Sequence, residues 1–250
     1  MDELLQILLL IGVGFLAGVI NTLAGGGSLF TLPVLIFLGL PPAIANGTNR
    51  IPIVIQSVSG ALGYKSKGVS TFPFNIYLGI SASIGAYLGA RIAIDISGVL
   101  FNRILAIIMI VIGGLILIRS KKIDIDLPER LTGKYLVFAI LGFFVMGVYG
   151  GFINAGIGIV IMLFLNRVNQ LSLVKTNATK VGVVSIYSMV ALILFAYHDA
   201  VDWKLGGLMA LGTSLGAWFT SRWSVRKGDR VIRMAMLFAI LIIAIKLWFF

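Results

Sequence analysis

Two basic residues, Arg50 and Lys180, lie inside apolar stretches of the sequence, where a charge is costly and normally faces water or a partner. No Asp or Glu lies within those stretches. Asn46 stands four residues before Arg50. Asn177 stands three residues before Lys180, so a helix would place the members of each pair on one face. Cationic and amide donors suit the oxygens of an anion. The spacing therefore predicts two anion-binding clusters, with snorkelling of the cations to the membrane surface as the alternative.

Two glycine-rich breaks, Gly25–Ser28 and Gly156–Gly158, interrupt the apolar runs. They predict turns, and they also predict exposed N–H groups at the start of the following helix, where the helix dipole favours an anion. Asn21 and Asn154 precede the breaks and are interpreted either as hydrogen-bonding groups within the bundle or as substrate ligands. Irregular backbone at membrane depth needs protein or a water-filled cavity around it. The breaks therefore predict a central cavity.

The predicted substrate-binding residues combine these breaks with the two polar clusters. They are Asn21, Gly25, Gly26, Gly27, Ser28, Asn46, Thr48, Asn49, Arg50, Asn154, Gly156, Gly158, Asn177, Thr179 and Lys180.

Composition limits the class of protein that can hold such a site. The 250 residues are 59% hydrophobic and 12% charged, whereas soluble domains are usually about 25% charged. Repeated apolar runs long enough to cross a bilayer predict a polytopic membrane protein whose partner is lipid. With no cysteine and one histidine, neither a thiolate nor a histidine-cluster metal site is expected. We expect no cofactor. We also expect no nucleic-acid partner, because the basic residues behind the net charge of +11 lie mainly in loops between the apolar runs.

Hydropathy divides the chain into two sets of five apolar segments, joined by a charged linker at 119–134. The first repeat covers 1–118 and the second covers 135–250. Segments 28–40 and 157–166 are too short to cross a bilayer and are interpreted as half-helices of re-entrant hairpins. The predicted segments are about 4–24, 28–40, 43–64, 72–94, 99–118, 135–153, 157–166, 174–197, 204–221 and 234–250.

Basic residues predict how the chain crosses the membrane, since cytoplasmic loops hold the excess of Lys and Arg. If each hairpin returns to its own side, 14 of the 20 basic residues fall on one side and 4 on the other. Each half then crosses three times, so the second half is inverted. The predicted fold is all-α, a polytopic membrane helix bundle of two inverted-topology repeats, each with a re-entrant broken-helix hairpin and three crossing helices. Both termini are predicted on the non-cytoplasmic side of the membrane.

An internal repeat accompanies this division. Gly14 and Gly18 recur 133 positions later as Gly147 and Gly151, and the asparagines before the breaks follow the same offset. Glycines four residues apart let helix backbones approach closely, so these pairs predict helix packing. They also permit a homodimer.

Four segments carry a resemblance to a known family: Gly18–Ser28, Asn46–Arg50, Gly151–Gly158 and Thr176–Lys180. Together they resemble the TauE/SafE family of sulfite exporter-like transporters. The resemblance implies a multi-pass plasma-membrane protein that moves sulfite or an organosulfonate such as sulfoacetate. The second break has Ala155-Gly156-Ile157-Gly158 in place of the triple glycine, so the two sides of the site are chemically unequal.

The residues therefore predict a secondary anion transporter that works by alternating access between its halves. The resemblance implies that the exported anion is a small sulfur oxyanion. A cell-negative potential would suffice to drive an anion outward, at about 2.3 kcal/mol per charge per 100 mV. An anion channel and a non-transporting membrane scaffold are the alternatives. An enzyme is not expected, because the membrane interior holds no constellation of nucleophile, base and orienting group.

Overall fold

The computed structural model describes residues 3–117 and 128–227, and every regular element in those ranges is a helix. Most of the predicted linker and the last predicted segment, 234–250, lie outside the described residues. The helices are α1 (Glu3–Ala24), α2 (Ser28–Phe37), α3 (Pro42–Thr48), α4 (Arg50–Lys65), α5 (Phe74–Asp95), α6 (Gly98–Leu117), α7 (Gly133–Phe152), α8 (Ile157–Val168), α9 (Leu173–Tyr197) and α10 (Trp203–Lys227).

Four of the described helices are long and apolar enough to cross a bilayer: Glu3–Leu23, Phe74–Asp95, Gly133–Phe152 and Leu173–Tyr197. They include α1 and α7, the helices that precede the two breaks and that would form the first arms of the predicted re-entrant hairpins. At 1.5 Å per residue, α1 and α7 measure about 33 Å and 30 Å, close to the thickness of a hydrocarbon core. The helices that follow the breaks, α2 and α8, have 10 and 12 residues and are too short to cross.

The sequence predicts one segment at 43–64, and this is wrong, because the structure has two helices there. The helical conformation is interrupted at Asn49, between α3 and α4. Pro52 has no N–H to donate to the carbonyl of Thr48, four residues earlier, so a helical hydrogen bond is missing at the interruption. The helix α7 begins at Gly133, two residues before the expected start of the second repeat.

The helix pair α1 and α10 packs through glycines. A Cβ atom on Gly14 would overlap the carbonyl oxygen of Met209, and one on Gly18 would overlap that of Thr213. Four residues further along α1, the contact is also four residues further along α10, so the two helices run parallel. The predicted role of these glycines in helix packing is confirmed.

A second glycine contact joins α7 to α5. Cβ atoms on Gly147 and Gly151 would overlap the carbonyl oxygens of Ala82 and Ala86 in turn, so these helices also run parallel. Small-residue faces that could have served a homodimer are thus used within the chain.

Apolar side chains enclose both short helices. Leu29 and Leu32 of α2 pack in one cluster with Phe101 of α6. Ile161 of α8 packs in another with Phe143 of α7. The two broken segments therefore lie inside the bundle, where their polar backbone groups need partners from the protein.

The loops gather at two ends of the bundle. At the end where α9 begins, the backbone of Arg130 donates to the carbonyl of Asn169 at 2.9 Å, and the Asn169 amide donates back at 2.8 Å. At the end where α9 finishes, Lys204 pairs with Glu3 at 2.9 Å. The end at Asn169 thus collects the segments around 130 and 170, which belong to the predicted basic side.

Candidate functional site

The two helix breaks touch each other in the interior. Gly25 follows the end of α1 with φ of +78°, in the left-handed region that favours glycine. A Cβ atom on Gly25 would overlap the backbone of Gly158 and lie 2.7 Å from the N of Ile159. A Cβ atom on Gly158 would overlap the Cα of Gly25 in return. The two predicted breaks are therefore brought together, and at this point they meet backbone against backbone.

Within the first break, the side chain of Asn21 accepts a hydrogen bond from the N–H of Gly27 at 3.3 Å. Gly27 has no room for a side chain, since its Cβ would overlap the carbonyl oxygen of Ala17. Gly26 differs, because a Cβ there would meet only side-chain carbons at 3.6 Å or more. The Ser28 hydroxyl starts α2 and donates across the interface to a carbonyl in the second break.

The carbonyl that receives this bond belongs to Asn154, at 2.9 Å from the Ser28 hydroxyl. Asn154 has φ of +55°, a left-handed conformation that asparagine tolerates better than most residues. Its side-chain oxygen accepts a hydrogen bond from the hydroxyl of Tyr187 at 2.7 Å. Gly156 has φ of +70° and precedes α8, with its Cα facing the side chain of Ile112. Both break asparagines thus serve as hydrogen-bonding groups of the bundle.

Arg50 lies beside the end of α7 and is 0% exposed. Its guanidinium donates to the carbonyl oxygens of Gly150 and Gly151, at 2.5 Å and 2.7 Å. It also donates to the side-chain oxygen of Asn46 at 3.0 Å, and the Asn46 amide donates to the carbonyl of Phe152 at 2.7 Å. Arg50 and Asn46 therefore cap the C-terminal end of α7.

Lys180 makes the matching arrangement at the end of α1. Its ammonium donates to the carbonyl oxygens of Asn21 and Thr22 at 2.9 Å and 3.1 Å, and to the side-chain oxygen of Asn177 at 2.8 Å. The Asn177 amide donates to the carbonyl of Leu23 at 3.3 Å. The cation of each half thus caps the broken helix of the other half.

Helix termini explain why a cation belongs at each position. The last carbonyls of an α-helix have no intrahelical partner and carry the negative end of the helix dipole. In a membrane interior they need donors from the protein, and a cation satisfies both the hydrogen bonds and the dipole. Neither Arg50 nor Lys180 reaches the surface, so snorkelling is excluded for both. At the two predicted anion-binding clusters, these carbonyl oxygens are acceptors for both cations.

Some buried polar atoms beside the caps have no partner within the described residues. They are the Nε of Arg50 and both side-chain amide atoms of Asn49, a residue that is 1% exposed. Lys180 differs, since its three N–H groups match three oxygen acceptors. Other buried side-chain atoms without a partner in the described part of the chain are oxygens, of Asn75, Asn166, Asn169, Gln170 and Ser188. The unpartnered nitrogens, which can only donate, both lie at the interruption between α3 and α4.

The two predicted threonines lie away from this cluster. The Thr48 hydroxyl accepts from the N–H of Asp202 at 2.8 Å, at the start of α10. The Thr179 hydroxyl donates to the carbonyl of Lys175 at 2.8 Å and lines a cavity near the start of α9. The other thirteen predicted residues belong to the two breaks, the two caps and the interruption at Asn49.

Comparison with known proteins assigns the family. The model of the family "Sulfite exporter TauE/SafE" matches residues 10–247. This chain belongs to the TauE/SafE family. Relatives named as probable membrane transporter proteins cover most of its length. The ORF9 protein of a Sinorhizobium species is 30% identical, over 93% of this chain and 88% of its own. A protein of Haemophilus influenzae is 30% identical, over 88% and 86%.

YfcA of Escherichia coli K12 is likewise 30% identical, over 96% of this TauE/SafE chain and 90% of its own length. It too is named as a probable membrane transporter protein. No solved structure gives a significant match. The family, the relatives and the apolar helices identify the chain as a membrane protein of a transporter family.

Sequence reasoning missed two residues of this TauE/SafE site. Tyr187 holds the side chain of Asn154, and the ring of Phe195 lies 5.3 Å from the guanidinium carbon of Arg50. Nothing in their spacing distinguished these aromatic residues from packing residues. The capping of the broken helices did have a signal, because a helix that ends inside a membrane leaves carbonyls for which donors must be found.

Proposed function

We propose that this protein is a secondary transporter that exports a small sulfur oxyanion, sulfite or an organosulfonate such as sulfoacetate, across the plasma membrane. The family description and the names of the relatives support transport, and the buried guanidinium of Arg50 supports an anionic substrate. The observation that carries the proposal is the unused hydrogen-bonding capacity beside a buried guanidinium.

The polar groups at the interruption suit a tetrahedral or pyramidal oxyanion. The Nε of Arg50 and the side-chain amide of Asn49 together offer three N–H donors that no described residue accepts. A buried polar group without a partner costs about 1–3 kcal/mol, so such groups are retained where a ligand completes them. The oxygens of sulfite or a sulfonate would complete these bonds and balance the guanidinium. In this proposal Lys180 and Asn177 have mainly a structural role, because their donors are used at the end of α1.

Alternating access between two inverted repeats, each containing a re-entrant hairpin, is the proposed transport mechanism. The matched parallel packing of α1 with α10, and of α7 with α5, supports the two-repeat arrangement, since each pair joins the first helix of one half to a later helix of the other. In the proposed mechanism, the contact of Gly25 with Gly158 is the point about which the halves rock. We propose that the membrane potential drives export.

Flux measurements in liposomes test the proposal as a whole. Purified protein should carry sulfite or sulfoacetate with saturable kinetics, at a rate that rises when the side holding the anion is made negative. Flux that never saturates would favour a channel. Flux that ignores the potential and follows a pH gradient would defeat the proposed driving force. Absence of flux for every sulfur oxyanion would defeat the proposed substrate.

Asn49→Ala tests the site. Because the Asn49 side chain makes no hydrogen bond within the described residues, its removal should leave the melting temperature unchanged or higher. Loss of one hydrogen bond to a charged ligand, about 1.5–3 kcal/mol, should raise the half-saturating anion concentration about 10- to 100-fold. Asn46→Ala is the matched control, since it removes two protein hydrogen bonds and should lower the melting temperature. Wild-type kinetics in Asn49→Ala would refute the assignment.

A further inference from the structure

We call the two breaks, the two caps and Asn49 the central cluster. A second polar feature lies apart from it, at the end of the bundle where α9 begins. A cavity of about 470 Å³ is lined by the start of α5 and the loop before it, by the segment before α7, and by the first turns of α9. Its walls include Ser70, Thr132, Glu129 and Lys175, and its inner wall includes Thr179. Thr179 immediately precedes Lys180, so α9 connects this cavity with the cap at the end of α1.

Lys175 gives the cavity a positive charge in a place that helix stability does not explain. It lies in the first turn of α9, three residues after the capping residue Ser172. The N-terminal end of a helix is already positive, so a cation there is unfavourable for the helix but favourable for a bound anion. A neighbouring cavity of about 370 Å³ shares Ser70 with the first and adds Lys65 to its walls.

In this structure Glu129 is the counter-charge of Lys175, with its carboxylate oxygen 2.6 Å from the ammonium. The two side chains are 32% and 44% exposed. An exposed ion pair contributes only about 0–1 kcal/mol. A ligand anion that reaches the cavity can therefore replace the carboxylate with little loss.

The remaining walls suit a small anion with an organic portion. Phe72 and Tyr77 line the cavity and are 75% and 48% exposed, so they present apolar surface beside the charged pair. An organosulfonate has a matching division, with oxygens for Lys175 and carbon atoms for the rings. Carboxylates share the charge but not the pyramidal array of three oxygens.

We propose that this cavity is the entry vestibule for the transported anion, in which Lys175 exchanges the carboxylate of Glu129 for the oxyanion of the substrate. The proposal rests on the proposed function, and it adds a site outside the central cluster. Removing the carboxylate should strengthen anion binding, and removing the ammonium should weaken it.

Transport kinetics in liposomes give the first test, with sulfoacetate as the probe. Glu129→Gln should lower the half-saturating concentration, and Lys175→Gln should raise it, each by about two- to fivefold, with little change in maximal rate. The ion pair of Glu3 with Lys204, at the opposite end of the bundle, provides matched controls. Glu3→Gln and Lys204→Gln should leave the half-saturating concentration unchanged.

Cysteine labelling gives a second test that does not require transport. The chain has no cysteine, so Ser70→Cys introduces a single thiol into the vestibule. The measured quantity is the labelling rate of an anionic, sulfonate-bearing methanethiosulfonate divided by that of its cationic trimethylammonium analogue. This ratio should be higher in the Ser70→Cys protein than in the same protein with Lys175→Gln. Glu129→Gln should increase that preference, and sulfoacetate should slow the reaction.

The outcomes separate the two proposals. If the wild-type protein carries no sulfur oxyanion but labelling responds to both substitutions, the vestibule is an anion site and the proposed substrate is wrong. Suppose instead that transport occurs. The vestibule is then refuted, and the transporter remains, if the labelling preference is the same in Ser70→Cys alone and combined with Lys175→Gln or Glu129→Gln. The same conclusion follows if the Glu129 and Lys175 variants leave the half-saturating concentration unchanged, as the Glu3 and Lys204 variants should.

Discussion

Replacement of Gly25 by alanine should destabilise the protein far more than replacement of its neighbour Gly26. The two glycines belong to the same break, and either substitution adds one methyl group. Gly25 has a left-handed φ of +78° and packs against the backbone of Gly158 and Ile159. Gly26 has space, since the nearest atoms to its Cβ would be side-chain carbons of Leu29 and Ile159 at 3.6 Å and 3.8 Å.

Two costs add at Gly25. A non-glycine residue in the left-handed region costs about 1–2 kcal/mol. Extra volume in a packed interior costs about 1–3 kcal/mol more, because here backbone must move and no flexible side chain can yield. The sum is about 2–5 kcal/mol. At Gly26 the same substitution should be neutral, or stabilising by about 0.4–1 kcal/mol through the unfolded state.

Thermal unfolding of both variants in detergent measures this difference. For a chain of this size, 1 kcal/mol corresponds to about 2–4 °C, so Gly25→Ala should melt at least about 4 °C below wild type and below Gly26→Ala. Gly158→Ala should also melt below wild type but by less than Gly25→Ala, because its Cβ would enter the backbone of Gly25 while its own φ is not left-handed. Equal melting temperatures for the Gly25 and Gly26 variants would refute the reasoning that the breaks meet at Gly25.

Three further predictions concern the caps and the packing around them. Lys180→Met should lower the free energy of unfolding by about 2–4 kcal/mol, because it leaves buried acceptors at the end of α1 without a donor. This loss exceeds the gain from removing a buried charge, and denaturant titration measures the net change. Tyr187→Phe leaves the side-chain oxygen of Asn154 without its donor and should cost about 1–3 kcal/mol in the same titration. Gly47→Ala would place a methyl group against the carbonyl oxygen of Ala200 and should reduce the yield of folded protein in size-exclusion chromatography.

Helix positions were predictable because each follows from hydropathy and from breaking residues. The expected segments 72–94 and 174–197 correspond to α5 and α9, within two residues at each end. The single segment expected at 43–64 was wrong at Asn49. Pro52 removes the hydrogen bond to a carbonyl four residues earlier, so the break lies away from the proline, and the chain is helical on both sides of it. The inverted arrangement and the re-entrant hairpins stay predictions.

The residues of the central cluster were predictable as a set, but their bonds were not. Spacing on one face placed Asn46 with Arg50 and Asn177 with Lys180, as the structure has them. The acceptors lie 100 residues or more away along the chain, and periodicity carries no information about such contacts. Whether the fifteen predicted residues bind a substrate stays a prediction.

The exchange of caps between halves also affects how the chain is made. The carbonyls at the end of α1 emerge from the ribosome before Lys180, which lies 159 residues beyond Asn21. At about 5–20 residues per second, they wait about 8–30 s for their donor. During that interval the carbonyl oxygens of Thr22 and Leu23 lack the donors that Lys180 and Asn177 later provide, so the insertion machinery must shield them from lipid or keep them in contact with water until α9 arrives.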